Sequence, residues 1–129
     1  MTQTLERILY VEDEPDIQAV ARLALEQLGG FTVELCSSGA EALEKVPLFK
    51  PDLILLDVMM PGMDGPSTLQ ALRGLPEAQA RPVVFMTAKV QPQEIEHYKQ
   101  LGAVDVIPKP FDPMALADKV RAIWERQHG

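Results

Sequence analysis

The sequence of 129 residues carries a formal net charge of −7, and its length fits a single domain over residues 1–129. An apolar content of 47% is enough for a core and argues against disorder. The acidic balance argues against unaided binding to nucleic acid or to an anionic membrane. No apolar run approaches the roughly 18 residues of a membrane span, no signal peptide is visible, and the single cysteine, Cys36, excludes an intrachain disulfide. We therefore expect a soluble cytoplasmic domain.

The first part of the chain alternates between strand and helix patterns. Ile8–Val11 is a continuous apolar run of strand length, which suits a strand covered on both faces. The next stripe runs from Ile17 through Val20 to Leu28 at helical spacing, and a glycine pair ends that helix. Phe31–Cys36 alternates apolar and polar residues, which indicates a half-exposed strand near a sheet edge.

The middle of the chain repeats this alternation. Ser38–Glu41 is a capping-box pattern that begins a second helix. Leu53–Leu56 is a second fully apolar strand, and Gly65-Pro66 begins a third helix with proline in its first turn. Val83–Met86 is a further apolar strand, and Pro92 begins a fourth helix.

The last strand–helix unit completes the pattern. Val104–Ile107 contains an aspartate and so resembles an edge strand, and Asp112-Pro113 is predicted to cap the fifth helix. Five such repeats predict an α/β fold, with a doubly wound, five-stranded parallel sheet and five helices on its two faces. The flavodoxin-like strand order 2-1-3-4-5 places the two polar-marked strands at the edges.

Polar side chains follow four of the predicted strands directly. The first strand runs into Glu12 and Asp13, the third into Asp57, the fourth into Thr87, and the fifth is followed by Lys109. In a doubly wound sheet, ligands bind beyond the carboxyl ends of the strands, where the strand order reverses. The sequence therefore predicts carboxylates, a hydroxyl and an ammonium at one edge of the sheet.

This combination favours phosphoryl chemistry. Two carboxylates about 4 Å apart repel by about 4 kcal/mol at an effective dielectric constant near 20, so a cation is expected between them. An open, all-oxygen site suits Mg²⁺. Lys109 would offset the remaining charge and hold a phosphoryl oxygen, and Thr87 adds a donor to the same group. Taken singly, the acids and Thr87 are more often structural, but together with Lys109 they favour transfer of a phosphoryl group to a carboxylate.

Four segments also resemble a known family over essentially the whole chain. Ile8–Glu14, Leu53–Gly65, Met86–Ala88 and Pro108–Phe111 are similar to the corresponding segments of the receiver domains of two-component response regulators. The Met-Pro-Gly-Met-Asp-Gly and Lys-Pro-Phe motifs are highly specific together.

The resemblance implies the roles of the site residues. Asp57 would accept the phosphoryl group from the phosphohistidine of a partner histidine kinase or from a phosphotransfer protein. Thr87 and Lys109 would bind that group, and the Lys109–Pro110 bond would be cis. The implied Mg²⁺ ligands are Asp13, Asp57 and the backbone carbonyl of Met59, with Glu12 acting through water.

The implied function is a signalling switch rather than a turnover enzyme. The domain would catalyse its own phosphoryl transfer and slow autodephosphorylation. Phosphorylation would change the face built by the fourth helix, fifth strand and fifth helix, and so control binding of a downstream effector protein. We expect a monomer or weak dimer that contacts neither nucleic acid nor membrane directly.

Three other functions compete with this one. Val106 stands where many relatives carry an aromatic ring, which keeps open a receiver-like interaction domain that works without phosphorylation. A phosphatase with an aspartate nucleophile usually has a second acid two residues later, where this chain has Met59. A flavin-binding module needs a phosphate loop rich in Gly, Ser and Thr, whereas Glu12–Glu14 would repel the cofactor.

Overall fold

The apolar runs of the sequence form the strands of one sheet. The structure is a computed structural model that describes residues 4–128. Its strands are β1 (Arg7–Val11), β2 (Thr32–Cys36), β3 (Leu53–Asp57), β4 (Val83–Thr87) and β5 (Asp105–Pro108). Its helices are α1 (Pro15–Arg22), which continues into a π-helical segment (Leu23–Leu28), α2 (Gly39–Phe49), α3 (Gly65–Leu72), α4 (Pro92–Leu101) and α5 (Leu116–His128).

The sheet has the predicted topology. All neighbouring strands are parallel and lie in the order β2-β1-β3-β4-β5. β2 and β5, the two strands whose apolar runs are interrupted by polar residues, form the edges as expected. Every residue of β3 and β4 is buried, because helices cover both faces of the central strands.

Two apolar clusters lie on opposite faces of the sheet. On one face, alternate residues of the central strands pack against α1 and α5, with Tyr10 and Trp124 as the largest members. On the other face, the remaining strand residues pack against α2, α3 and α4, where the Phe85 and Tyr98 rings meet edge to face. Full burial of one large aliphatic side chain stabilises a fold by about 1.5–3 kcal/mol. Because each cluster contains many such side chains, the two clusters fix the strands and helices relative to one another.

The first helix departs from the predicted pattern. Its stripe was expected to face inward throughout, but Val20 is 40% exposed and Leu28 is 52% exposed. Ala21 and Ala24, which belong to the same predicted stripe, are buried in the core cluster as expected. From Leu23 onward the chain is π-helical, and its wider turn with i→i+5 hydrogen bonds moves Leu28 off the 3.6-residue stripe.

The other helix starts are close to expectation, with one correction. Ser38 accepts a hydrogen bond from the backbone N–H of Glu41, but the Glu41 carboxylate binds the N–H of Ser37 rather than that of Ser38. Asp112 does not cap α5 directly. Its carboxylate accepts from the N–H of Met114 and closes a turn before the helix, so α5 begins at Leu116. Within residues 4–128, no helix combines the length and apolarity needed to cross a membrane.

Candidate functional site

The acidic residues predicted from the sequence meet at the carboxyl edge of the sheet. β1 and β3 are neighbours in register, Val11 beside Leu56, so the residues that follow them emerge together. Oxygens of Glu12, Asp13 and Asp57 all lie within 4.8 Å of one another. The Glu12 and Asp57 residues are 0% and 4% exposed, so water screens their charges poorly.

Lys109 reaches this cluster from the end of β5. Its ammonium donates to Glu12 Oε1 at 2.8 Å and lies 3.3 Å from Asp57 Oδ2. The Lys109 side chain is only 16% exposed. One cation therefore serves two buried carboxylates, and the positive charge lies beside the terminal oxygens of Asp57.

The electrostatics of Asp57 follow from this crowding. Burial, followed by the charge of Glu12, raises the pKa of the Asp57 carboxyl to about 6, although Lys109 and the backbone N–H of Met59 act in the opposite direction. Burial alone lowers the pKa of the Lys109 ammonium, but its hydrogen bond to Glu12 and the charge of Asp57 outweigh this, and the net change is upward. Near neutral pH the site thus pairs a carboxylate with an ammonium.

Thr87 lies at the same edge, one strand away from Asp57. It is the last residue of β4 and is 2% exposed. Its hydroxyl accepts a hydrogen bond from the backbone N–H of Lys89 at 3.1 Å. Its carbonyl accepts from the N–H of Lys109 at 2.9 Å, which fixes the backbone of the lysine to the end of β4. The Lys109–Pro110 peptide bond is cis.

Met59 contacts Asp57 through its backbone. Its N–H lies near enough to the Asp57 carboxylate to lower the pKa of that group, while its side chain is largely exposed, at 67%. The expected role of the Met59 carbonyl as a metal ligand stays a prediction.

The loop after Asp57 is held by the close approach of α3. Gly65 donates its N–H to the carbonyl of Val58 at 2.9 Å, and a Cβ at Gly65 would lie 2.8 Å from the Asp57 carbonyl oxygen. Asp64 caps the helix by accepting from the N–H of Ser67. Only glycine lets the helix start pack this tightly against the end of β3.

Two residues at the site were not predicted from the sequence. The Tyr10 hydroxyl donates to Glu12 Oε1 at 3.3 Å, and burial together with the charge of Glu12 raises the pKa of this hydroxyl. The Gln18 side-chain amide donates to the Glu12 carbonyl and to Ser37 Oγ. A tyrosine inside an otherwise aliphatic run was the one sequence signal for the first of these contacts.

The cluster fits a hard divalent cation by its donor chemistry. Glu12, Asp13 and Asp57 offer oxygen atoms and no nitrogen or sulfur, and Mg²⁺ is bound by a few carboxylates together with waters and phosphate oxygens. Two of the three carboxylates are buried with a single ammonium between them, which leaves negative charge for a cation to neutralise.

The chain is similar to proteins of one family. Residues 8–121 match the model of the response regulator receiver domain. The chain is 35% identical over 119 residues to the transcriptional regulatory protein CseB of Streptomyces coelicolor, covering 92% of this chain and 49% of that protein. It is 38% identical over 121 residues to the alkaline phosphatase synthesis transcriptional regulatory protein PhoP of Bacillus subtilis, covering 94% and 49%. The chain thus spans about half the length of these curated relatives.

The structural comparison agrees with the sequence comparison. The chemotaxis response regulator CheY4 of Vibrio cholerae superposes with a TM-score of 0.85 at 28% identity, covering 93% of this chain and 99% of that one. The shared fold, the family match and the acidic edge of the sheet lead to one assignment. This chain belongs to the response regulator receiver family, whose members act as phosphorylation-activated switches in two-component signalling.

Proposed function

We propose that Asp57 is the phosphoacceptor of this receiver domain and that Lys109 and Thr87 bind the transferred group. The observation that carries this proposal is the position of Lys109. Its ammonium lies 3.3 Å from Asp57 Oδ2 and also contacts Glu12. It can therefore bind the negatively charged oxygens that a phosphoryl group would bring to Asp57. A point charge of this kind suits a phosphoryl oxygen.

The reaction is an in-line displacement at phosphorus. A carboxylate oxygen of Asp57 forms the new P–O bond while the P–N bond of a phosphohistidine breaks, and the departing imidazole takes up a proton. The product is an acyl phosphate on Asp57. Such transfers depend mainly on positioning and charge neutralisation, which the buried Asp57–Lys109 pair supplies.

Glu12, Asp13 and Asp57, with the carbonyl of Met59, would hold Mg²⁺. When bound, the cation would neutralise charge on the phosphoryl oxygens and on the acidic cluster. The raised pKa of Asp57, about 6, still leaves this carboxylate ionised and nucleophilic at neutral pH.

The response would pass from Thr87 and Lys109 to the α4–β5–α5 face. Thr87 ends β4 and Lys109 directly follows β5, the strand paired with β4 on this side of the sheet, and the N–H of Lys109 donates to the carbonyl of Thr87. Moving a two-state face from 1:99 to 99:1 needs a bias of about 5.5 kcal/mol. Charge-assisted hydrogen bonds to a phosphoryl group, each worth about 1.5–3 kcal/mol, can supply this in combination.

The proposal extends to partners and location. The curated relatives are transcriptional regulators of about twice this length. By analogy, we assign this domain a histidine kinase or phosphotransfer protein as phosphodonor and a downstream effector protein as target. The domain would act in the cytoplasm as a monomer or weak dimer, with no turnover of an external substrate beyond its own phosphorylation and slow autodephosphorylation.

The test is a comparison of amide NMR spectra with and without beryllofluoride in the presence of Mg²⁺. We expect the mimic to shift resonances around Asp57 and on the α4–β5–α5 face of the wild type, and to leave Asp57→Asn unchanged. Identical wild-type spectra in both conditions would contradict the proposal. Family membership favours this switch over an interaction domain that works without phosphorylation. If the wild type and Asp57→Asn bound a partner equally under phosphorylating conditions, the interaction domain would be favoured instead.

A further inference from the structure

Tyr10 is a polar residue in the centre of a buried strand. It is 0% exposed and belongs to the core cluster between the sheet, α1 and α5. Its ring fills the core as an aliphatic side chain would, but its hydroxyl lies 3.3 Å from Glu12 Oε1. A tyrosine hydroxyl beside an ionised carboxylate is the donor of that bond.

Glu12 needs restraint because of its length. A glutamate has one more rotatable bond than an aspartate, and fixing a long side chain carries an entropy cost. Three donors from the described residues hold its carboxylate: the Tyr10 hydroxyl and the Lys109 ammonium on Oε1, and the N–H of Glu14 on Oε2 at 3.1 Å.

These donors are not equivalent. Lys109 also contacts Asp57, and the proposed function requires its ammonium to engage a phosphoryl group. Glu12 then loses all or part of that contact. Within residues 4–128, neither the Tyr10 hydroxyl nor the N–H of Glu14 donates to Asp57, so both remain to hold the Glu12 carboxylate.

We infer that Tyr10 is a positioning residue for the cation site. Its hydroxyl holds the Glu12 carboxylate toward Asp13 and Asp57, so that the three acids present their oxygens together while Lys109 remains free to engage a phosphoryl group on Asp57. This inference rests on the proposed function for the identity of the cation, and on the observed contacts for the role of the hydroxyl.

The first test compares two buried tyrosines. Tyr10→Phe removes only the hydroxyl that contacts Glu12, and Tyr98→Phe is the matched control, because Tyr98 is also buried but packs in α4 on the opposite face of the sheet. The readout is the Mg²⁺ dissociation constant of the unphosphorylated protein, measured by calorimetry. We expect Tyr10→Phe to weaken binding by about threefold to tenfold, the worth of one hydrogen bond, and Tyr98→Phe to leave it unchanged.

A double-mutant cycle between Tyr10 and Glu12 distinguishes positioning of the Glu12 carboxylate by the Tyr10 hydroxyl from a general packing role of Tyr10. In a Glu12→Asp background the carboxylate is one carbon shorter and is drawn back from the Tyr10 hydroxyl. Adding Tyr10→Phe there should cause no further loss of Mg²⁺ affinity. An equal loss in both backgrounds, or no loss in the wild-type background, would overturn the inference.

A second readout needs no metal. The amide of Glu14 donates to the same carboxylate, so its NMR resonance reports the position of Glu12 in Mg²⁺-free protein. We expect Tyr10→Phe to shift that resonance and Tyr98→Phe to leave it in place. If the wild type bound no Mg²⁺, the proposed cation site would fail. The role of the hydroxyl would still be decided by the Glu14 amide, and an unmoved resonance would overturn it.

Discussion

Two buried carboxylates share a single ammonium in this site. Glu12 and Asp57 are almost fully buried, and Lys109 contacts both, at 2.8 and 3.3 Å. Removing charges from water is costly unless they are paired, and here two negative charges share one positive charge. The residual imbalance disfavours the ionised form of Asp57 and favours any ligand that brings further positive charge.

This imbalance predicts how stability depends on pH. The pKa of Asp57 is about 6 in the folded protein against an ordinary value of 3.8, so the folded state binds the proton more tightly. The free energy of unfolding therefore falls as pH rises toward about 6 and Asp57 ionises in the folded protein. The lost stability is regained as pH falls toward 4.

Asp57→Asn should remove that dependence. We expect the variant to be more stable than the wild type by about 2–3 kcal/mol at pH 8 without Mg²⁺, and the difference to shrink at pH 4.5. Urea unfolding at the two pH values measures it. Asp118→Asn, whose side chain is 86% exposed, is the control and should show a small difference at both. A constant gap for Asp57→Asn would contradict the prediction.

The residues that meet at the site were predictable from the sequence, but their pairing was not. Glu12, Asp13, Asp57, Thr87 and Lys109 each follow a predicted strand directly, so parallel topology brings them to one edge. The sharing of Lys109 between two acids, and the contact of Tyr10 with Glu12, depend on side-chain conformations that no sequence period encodes.

At the scale of the elements, the helix start after Asp57 is as important as the strand that carries it. A Cβ at Gly65 would approach the Asp57 carbonyl oxygen and the Val58 Cα at 2.8 Å, and both atoms belong to the backbone. Neither can move without displacing the end of β3, so this glycine couples the position of α3 to the geometry of Asp57.

Gly65→Ala should therefore cost stability and disturb the site. We expect the free energy of unfolding to fall by about 1–3 kcal/mol, the range for overpacking, and the amide resonances of Asp57 and Met59 to shift. Gly74→Ala is the matched control, because its Cβ would meet only the Ala71 carbonyl, at 3.3 Å. Equal and small effects at both glycines would argue against a tight α3–β3 contact.

The helix ends follow the sequence pattern in some places and depart from it in others. Pro66 and Pro92 lie in the first turns of α3 and α4 as predicted, because proline at that position loses no hydrogen bond. The π-helical segment after Arg22 was missed, since an apolar stripe does not distinguish i→i+4 from i→i+5 bonding. The start of α5 was placed too early, because Asp112 binds Met114 in a turn rather than capping the helix.

At the scale of the whole molecule, the strand order was predictable because polarity marks the edges. Glu34 in β2 and Asp105 in β5 lie on the two outer strands, where one side of each strand is unpaired. Asp105 is bonded to Arg126 of α5 at 2.7 Å within the same chain. The two core clusters then follow from the alternation of side chains along buried strands.

Mg²⁺ should stabilise the folded molecule as a whole. A ligand that binds only the native state adds about 2.7 kcal/mol to the free energy of unfolding at a concentration of about 100 times its dissociation constant. We expect Mg²⁺ to raise the melting temperature of the wild type and a chelator to reverse the rise. Asp13→Asn should lose this response, and an equal rise in the variant would place the cation elsewhere.

Chemical location of the transferred group tests whether Asp57 is the phosphoacceptor. The protein is incubated with Mg²⁺ and acetyl phosphate, reduced with borohydride, digested and sequenced by mass spectrometry. An acyl phosphate on Asp57 is reduced to homoserine, so we expect homoserine at position 57 in the wild type and unmodified asparagine there in Asp57→Asn. Aspartate left intact at position 57, or homoserine at position 13 instead, would contradict it.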